Sequence, residues 1–158
     1  MVLNRQRRVP IALDPLKQFA ERARRELRFA ADTVTVCLVS DAAIARLNRR
    51  YRGKPGPTDV LSFPAAAHKS SSASRGALRY SGDIAISPSA ARRNARRLDR
   101  TLPAELRVLI LHGMLHLAGY DHETDRGEMN RIERRLRRRL GLGSRARRRQ
   151  RRGSSRGR

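Results

Sequence analysis

The apolar positions of this chain follow two different periods, and each period predicts one class of element. Short runs rich in β-branched residues have the length of strands, and we expect four of them. They are RVPIALD (8–14), TVTVCLVS (33–40), DVLSF (59–63) and GDIAIS (82–87). Apolar residues at three- and four-residue spacing predict five helices, beginning near Asp14-Pro15, Asp41, Pro88, Pro103 and Arg126. The pattern therefore predicts one α+β domain, a mixed sheet of about four strands packed with about five helices.

Two of these helices allow finer expectations. The second should be capped by Ser40 or Asp41 and should bury Ile44, Leu47 and Tyr51. The fourth, PAELRVLILHGMLHLAG (103–119), is apolar around most of its circumference, which is typical of a helix buried on most sides. The segment AAAHKSSSASRG (65–76) between the third and fourth strands is rich in small residues and is expected to be a surface loop that includes His68.

The charge of the chain indicates a class of partner. The formal net charge is +23, and GSRARRRQRRGSSRGR (143–158) contains eight arginines and no acid. Without those arginines residues 1–142 still carry +15, so the folded part is basic as well. We therefore expect a domain at 1–142, a disordered arginine-rich tail at 143–158, and RNA as the partner, with no DNA expected. An anionic membrane surface, or an arginine bias of the genome, would give a similar composition.

Other features of composition indicate the compartment. Cys37 stands alone, so no disulfide within the chain is possible. No run approaches the roughly 18 apolar residues of a membrane span, and the N-terminus has no apolar core typical of a signal peptide. We expect a cytoplasmic protein with no membrane association.

Three of the four histidines lie in the segment LHGMLHLAGYDH (111–122). His112 and His116 are four residues apart, so they lie on one helix face, and Gly119 permits a break that returns His122 toward them. Three imidazoles with an open fourth position are typical of a catalytic Zn²⁺ site, although Ni²⁺, Cu²⁺ and Fe²⁺ also bind imidazole. The alternative is a set of buried histidines bonded to backbone carbonyls.

The same spacing invites comparison with the metzincin proteases, whose motif is H-E-x-x-H-x-x-G-x-x-H. Gly113 occupies the position of the glutamate that serves those proteases as general base, so peptide hydrolysis by that route is disfavoured. Asp121 and Asp59 are candidates for a carboxylate near the metal, and either could instead be a turn or cap residue.

Three stretches together resemble one known family. HGMLHLAGYDH (112–122), LNRRYRGKPGPTDVLSFP (47–64) and GDIAIS closely resemble motifs of the YbeY family, bacterial endoribonucleases of ribosomal RNA maturation and ribosome quality control. The resemblance covers about residues 5–140 and implies an α+β fold, one zinc ion held by His112, His116 and His122, and an essential Arg52. The arginine tail after Leu142 and the serine-rich segment at 69–75 depart from the family pattern.

The chemistry of Arg52 agrees with that implication. A guanidinium is always charged and offers a rigid donor fork to the oxygens of a phosphodiester, and Lys54 could steer the RNA backbone. The alternative is one surface arginine among many.

These observations lead to one expected function and two alternatives. The resemblance implies a single-strand-specific, zinc-dependent endoribonuclease that acts in 16S rRNA 3′-end maturation and ribosome quality control, assisted by ribosomal proteins or an assembly GTPase. The alternatives are an RNA- or ribosome-binding module with structural zinc, and a metalloprotease-like hydrolase with a displaced base.

Overall fold

The structure, a computed structural model, describes residues 1–29, 34–65, 81–121 and 125–142, which contain four strands and five helices. The strands are β1 (Val2–Asn4), β2 (Val34–Leu38), β3 (Val60–Pro64) and β4 (Gly82–Ile86). The helices are α1 (Leu13–Glu26), α2 (Asp41–Arg52), α3 (Pro88–Arg97), α4 (Leu102–Leu117) and α5 (Glu128–Arg139). The serine-rich segment, the arginine tail, His68 and His122 lie outside the described residues.

The four strands form one mixed sheet in the order β1-β2-β4-β3. β2 runs parallel to both β1 and β4, whereas β3 is antiparallel to β4, and Val36 stands level with Val2 on one side and Ile84 on the other. The expected α+β fold with a mixed four-stranded sheet and five helices is confirmed.

The two faces of the sheet bury different sets of side chains. Val36, Ile84 and Ile86 point to the face that α1 and α4 cover, and this face forms the main core, to which α5 adds Met129 and Leu136. Ala85 and Leu61 point the other way and pack against Ile44 of α2. The helices therefore lie on both faces, with the larger core on the side of α4.

The prediction of a first strand at 8–14 is wrong. β1 lies earlier, at Val2–Asn4, and Val9 belongs to a turn held by the amide of Gln6. The Gln6 side chain donates to the Val9 carbonyl and accepts from the Val9 amide, both at 2.9 Å. Because these bonds occupy both backbone groups of Val9, and Pro10 has no N–H, this segment cannot join the sheet ladder.

The predicted helix starts lie within two residues of the observed ones, but the helix expected to open at Asp14-Pro15 has a different cap. The hydroxyls of Ser40 and Ser87 accept from the amides three residues on, at 3.2 and 3.1 Å, and so cap α2 and α3. α1 instead begins after Ala12, and Asp14 lies within its first turn, where it pairs with Lys17 at 3.1 Å.

The predicted burial of Tyr51 is also wrong. Its side chain is exposed, and its ring contacts Phe63 edge-on with centroids 5.2 Å apart. The buried position on that face of α2 is Asn48, whose amide donates to the Gly56 carbonyl at 3.0 Å. A polar side chain is buried there because it holds the loop that follows the helix.

α4 is the central helix of the fold. It contacts α1, α3, α5, β3 and β4, and apolar residues on several sides of it are buried, which confirms the expectation of a helix enclosed on most sides. None of the helices in the described ranges is both long and apolar enough to cross a membrane.

Gly113 is the point of closest approach between α4 and the sheet. A Cβ atom at this position would lie 2.8 Å from Ile84 Cγ2, 3.0 Å from Ile84 Cδ1 and 3.1 Å from Ser62 Oγ. Since Ile84 is fully buried and β-branched, it has little room to move aside. The sheet therefore excludes a side chain at position 113.

We predict that Gly113→Ala destabilises the protein. The overlap with Ile84 costs about 1–3 kcal/mol, and the better helix propensity of alanine returns up to about 1 kcal/mol. The free energy of unfolding, measured by urea denaturation, should therefore fall by on the order of 1 kcal/mol. In an Ile84→Ala background the same change should cost much less, because both isoleucine carbons in conflict are gone and only Ser62 Oγ, at 3.1 Å, stays close. Equal losses in the two backgrounds would contradict this packing account.

Candidate metal centre

α4 brings two of the three predicted metal ligands together. His112 Nε2 and His116 Nε2 face each other at 3.2 Å, and the two rings meet edge-to-face with centroids 4.8 Å apart. Both residues are half-buried at the C-terminal end of the helix. Their spacing of one helical turn is what allows two rings on the same face to converge.

The separation of the two nitrogens fits a pair of zinc ligands. In a tetrahedral site with Zn–N bonds of about 2.0–2.1 Å, two ligand nitrogens lie about 3.3–3.4 Å apart. Without an ion, two imidazoles at 3.2 Å can share one N–H···N hydrogen bond. The pair therefore has the donor atoms and the spacing of two corners of a metal site.

α4 ends in a turn at Gly119, the position where the sequence predicted a break, and Gly119 adopts a left-handed conformation there. Gly119 has φ of +90°, its amide donates to the His116 carbonyl, and the Tyr120 amide donates to the Leu115 carbonyl. This pair of bonds is the Schellman arrangement that stops a helix and reverses the chain. The predicted helix break at Gly119 is confirmed, whereas the predicted return of His122 falls outside the described residues.

The third predicted ligand, His122, lies outside the described residues, which end at Asp121 and resume at Asp125. The Asp125 amide donates to the Asp121 carbonyl at 3.0 Å, and the Asp125 carboxylate accepts from the amides of Gly127 and Met129 at the start of α5. Across the described ranges no group of three histidine, cysteine, aspartate or glutamate side chains converges on one point. The three-histidine site thus stays a prediction. The structure shows two of its three residues, His112 and His116, side by side.

The sequence reasoning missed Glu133. This side chain lies on α5 and its residue is only 6% exposed, yet its Oε2 is 3.4 Å from His112 Nδ1 and its Oε1 accepts from the Arg137 guanidinium. Burial raises the pKa of Glu133, but the hydrogen bond with His112 and the charge of Arg137 outweigh burial and hold that pKa below its usual range. A signal was present in the sequence, because Glu133 follows the buried Met129 by one turn and so interrupts an apolar stripe.

One of the two carboxylates considered from the sequence has a local role instead. Asp59 accepts from the Val60 amide at 2.9 Å and from the Asn94 side chain at 2.8 Å, so it joins the start of β3 to α3. This is the turn role that was the alternative for Asp59.

Arg52 lies on a different element from the histidines. It is the last residue of α2, exposed to solvent, and Gly53 follows it in a left-handed conformation with φ of +63°. The loop after it leads into β3, and β3 in turn contacts the histidine helix, where the Ser62 hydroxyl donates to the Gly113 carbonyl at 3.2 Å. The segment that carries Arg52 is thereby joined to α4 through one strand.

Two surface cavities, one on α5 and one on α2, are lined in part by arginines. A cavity of about 450 Å³ along α5 has Glu133 in its wall and is otherwise lined by Gly127, Asn130, Arg131, Arg134 and Arg137. A smaller one of about 260 Å³ is lined by Ala45, Arg46, Arg49 and Arg50 of α2. Both surfaces are suited to attract phosphate groups.

Comparison with known proteins gives a consistent result. A family model described as Endoribonuclease YbeY matches residues 2–141. The chain is 43% identical over 138 residues to the Endoribonuclease YbeY of Solibacter usitatus, covering 86% of each protein. It is 41% identical over 144 residues to that of Koribacter versatilis, covering 91% of this chain and 88% of the relative. Among solved structures, the solution structure of TM1509 from Thermotoga maritima matches with a TM-score of 0.57 and 29% identity over 89% of each chain.

We predict that the purified protein contains about one zinc ion per chain, as expected for a single three-histidine site. His112→Ala and His116→Ala should each lose most of the metal, because each removes one of the facing nitrogens. Elemental analysis after extensive dialysis is the measurement, and His68→Ala is the matched control, which should retain the metal. Stoichiometric zinc in the His112→Ala/His116→Ala double variant would show that the metal is bound elsewhere.

Proposed function

The chain belongs to the YbeY endoribonuclease family, and we propose that it is a zinc-dependent endoribonuclease that cleaves single-stranded ribosomal RNA. The observation that carries the proposal is the pair of facing Nε2 atoms on a helix that is otherwise mostly apolar. Without an ion the two Nε2 atoms can share one hydrogen bond, and their spacing also suits two ligands of one metal ion. The spacing of these donor atoms is what supports a metal site.

We propose His112, His116 and His122 as the ligands of one zinc ion. When bound, zinc supplies a Lewis acid that polarises a phosphoryl oxygen and promotes the deprotonation of water. The half-buried position of His112 and His116 keeps the ligands ordered while leaving an approach for a substrate.

The contacts of His112 favour an open site over a closed structural one. Glu133 is the acidic side chain that touches His112, and it faces Nδ1, the nitrogen that points away from His116. It is therefore badly placed to supply a fourth protein ligand. A structural zinc site normally has four protein ligands, whereas a catalytic site keeps one position for water or substrate.

The packing at Gly113 disfavours the alternative of a metalloprotease-like hydrolase. A glutamate at this position would serve as general base in such an enzyme. Any Cβ at position 113 would overlap Ile84, because this turn of α4 packs directly against the sheet. The fold leaves no room for that group.

Arg52 is proposed to stabilise the transition state of phosphodiester cleavage. Negative charge grows on the non-bridging oxygens as the bond breaks, and a guanidinium offers those oxygens two parallel hydrogen bonds. The exposed position of Arg52 at the end of α2 leaves it accessible to a large polyanion.

The arginine-rich surfaces are proposed to recruit RNA without reading its sequence. Arginines on α2 and α5 line two surface cavities. The tail at 143–158 contains eight further arginines. An accessible single strand can bring one phosphate into a metal cleft more readily than an A-form helix can. We accordingly propose the 3′ end of 16S rRNA as a substrate, ribosome quality control as the wider role, ribosomal proteins or an assembly GTPase as partners, and the cytoplasm as the place of action.

The proposal is tested by cleavage of a labelled RNA presented both as a single strand and within a duplex. Wild-type protein should cut the single strand preferentially, a chelator should stop cleavage, and added zinc should restore it. His116→Ala should be inactive on both substrates. Cleavage that persists undiminished in metal-free protein would refute zinc dependence, and failure of zinc-loaded protein to cut any single strand would refute the nuclease.

Within that assay we predict that Arg52→Ala lowers turnover by a factor on the order of 10². Zinc content and RNA affinity should barely change, since many other arginines contribute to binding. Arg52→Lys should restore activity only in part, because an ammonium cannot form the bidentate contact. Arg25→Ala, which removes an exposed arginine of α1, is the control and should leave turnover intact; wild-type rates in Arg52→Ala would exclude a catalytic role.

A further inference from the structure

The buried face of α5 carries an acid where its pattern predicts an apolar residue. Met129, Glu133 and Leu136 are the buried residues of this helix, and the first and last pack into the main core. A buried carboxylate is costly to desolvate unless specific partners compensate it. The partners of Glu133 therefore indicate its purpose.

The two carboxylate oxygens of Glu133 have different partners. Oε1 accepts from Arg137, one turn further along α5, so this contact fixes the carboxylate relative to its own helix. Oε2 lies 3.4 Å from Nδ1 of His112 on α4, so the second contact bridges two helices. Because the two partners use different oxygens, the contact with His112 does not depend on the contact with Arg137.

This contact determines which nitrogen of His112 is available. A carboxylate only accepts hydrogen bonds, so the nitrogen that faces it carries the proton in the neutral ring. Nε2 then has the free lone pair, and Nε2 is the atom that faces His116 at 3.2 Å. At 3.4 Å the Glu133 contact is longer than a usual N–H···O bond.

We propose that Glu133 is the positioning residue of the metal site: its carboxylate holds His112 in the tautomer and orientation in which Nε2 binds the ion. Carboxylates commonly support metal-binding histidines in this way, which makes the histidine a better ligand. The inference rests on the metal site of the proposed function and identifies a residue that sets its affinity.

A purely structural role for Glu133 makes a different prediction. In that case the Glu133–Arg137 pair would only fasten α5, and loss of either partner would disturb the site equally. If Glu133 positions His112, removal of Arg137 should spare the contact with Nδ1. Arg137→Gln is therefore the matched control for Glu133→Gln.

The first measurement is zinc affinity, by competition with a chelator of known affinity. Glu133→Gln keeps the shape of the side chain and removes its charge, and it should weaken zinc binding on the order of 10–100-fold. Arg137→Gln should bind zinc close to wild type, even if it lowers the unfolding midpoint of the metal-free protein. Glu133→Leu, which suits the apolar face of α5, is a second variant and should lose at least as much affinity as Glu133→Gln, because it has no acceptor for the Nδ1 proton.

The second measurement is the ¹⁵N spectrum of the histidine rings in metal-free protein, at a pH where they are neutral. His112 should carry its proton on Nδ1 in wild type and Arg137→Gln, and should lose that preference in Glu133→Leu. Unchanged zinc affinity in both Glu133 variants, or an equal loss in Arg137→Gln, would overturn the proposal. Because neither measurement involves RNA, a protein that binds zinc in this Glu133-dependent way but cuts no RNA would refute the proposed nuclease and still support this inference.

Discussion

The burial of α4 is the constraint on which the rest of the structure depends. This helix passes between the sheet and three other helices, so each polar group on it needs a partner within the protein. Glu105 pairs with Arg100 at 2.9 Å near its start, and His112 lies between His116 and Glu133 near its end. The packing that stabilises the domain thus also orders the side chains that the proposed chemistry needs.

α5 carries positive charge on its outward side and a negative charge on its inward side. Its outward side presents arginines to solvent, where they can attract RNA, while its inward side presents the single carboxylate of Glu133 to His112. Arg137 joins the two sides, since its guanidinium both lines the α5 cavity and donates to Glu133. One helix therefore carries both the solvent-exposed arginines and the buried carboxylate that contacts His112.

Much of the fold could be predicted from local sequence patterns. The prediction failed where contacts outside those patterns decide the structure. β-branched runs located three of the four strands, and the serine caps at Ser40 and Ser87 marked two helix starts. The first strand was misplaced because the Gln6 side chain takes both backbone groups of Val9. Tyr51 was predicted to be buried because it continues the helical spacing of apolar residues on α2. The helix covers only part of the sheet, so the Tyr51 ring lies at the edge of the contact and is exposed.

The sequence by itself determined the parts of the site that depend on backbone geometry alone. His112 and His116 converge because a helix repeats every 3.6 residues, and Gly119 ends the helix because it adopts positive φ without strain. Only the tertiary structure decided that Glu133, 21 residues further on, faces Nδ1 of His112, and that Ile84 leaves no room for a side chain at Gly113. Those contacts depend on which elements pack together and at what depth, and that is settled by the summed burial of many side chains rather than by any one segment.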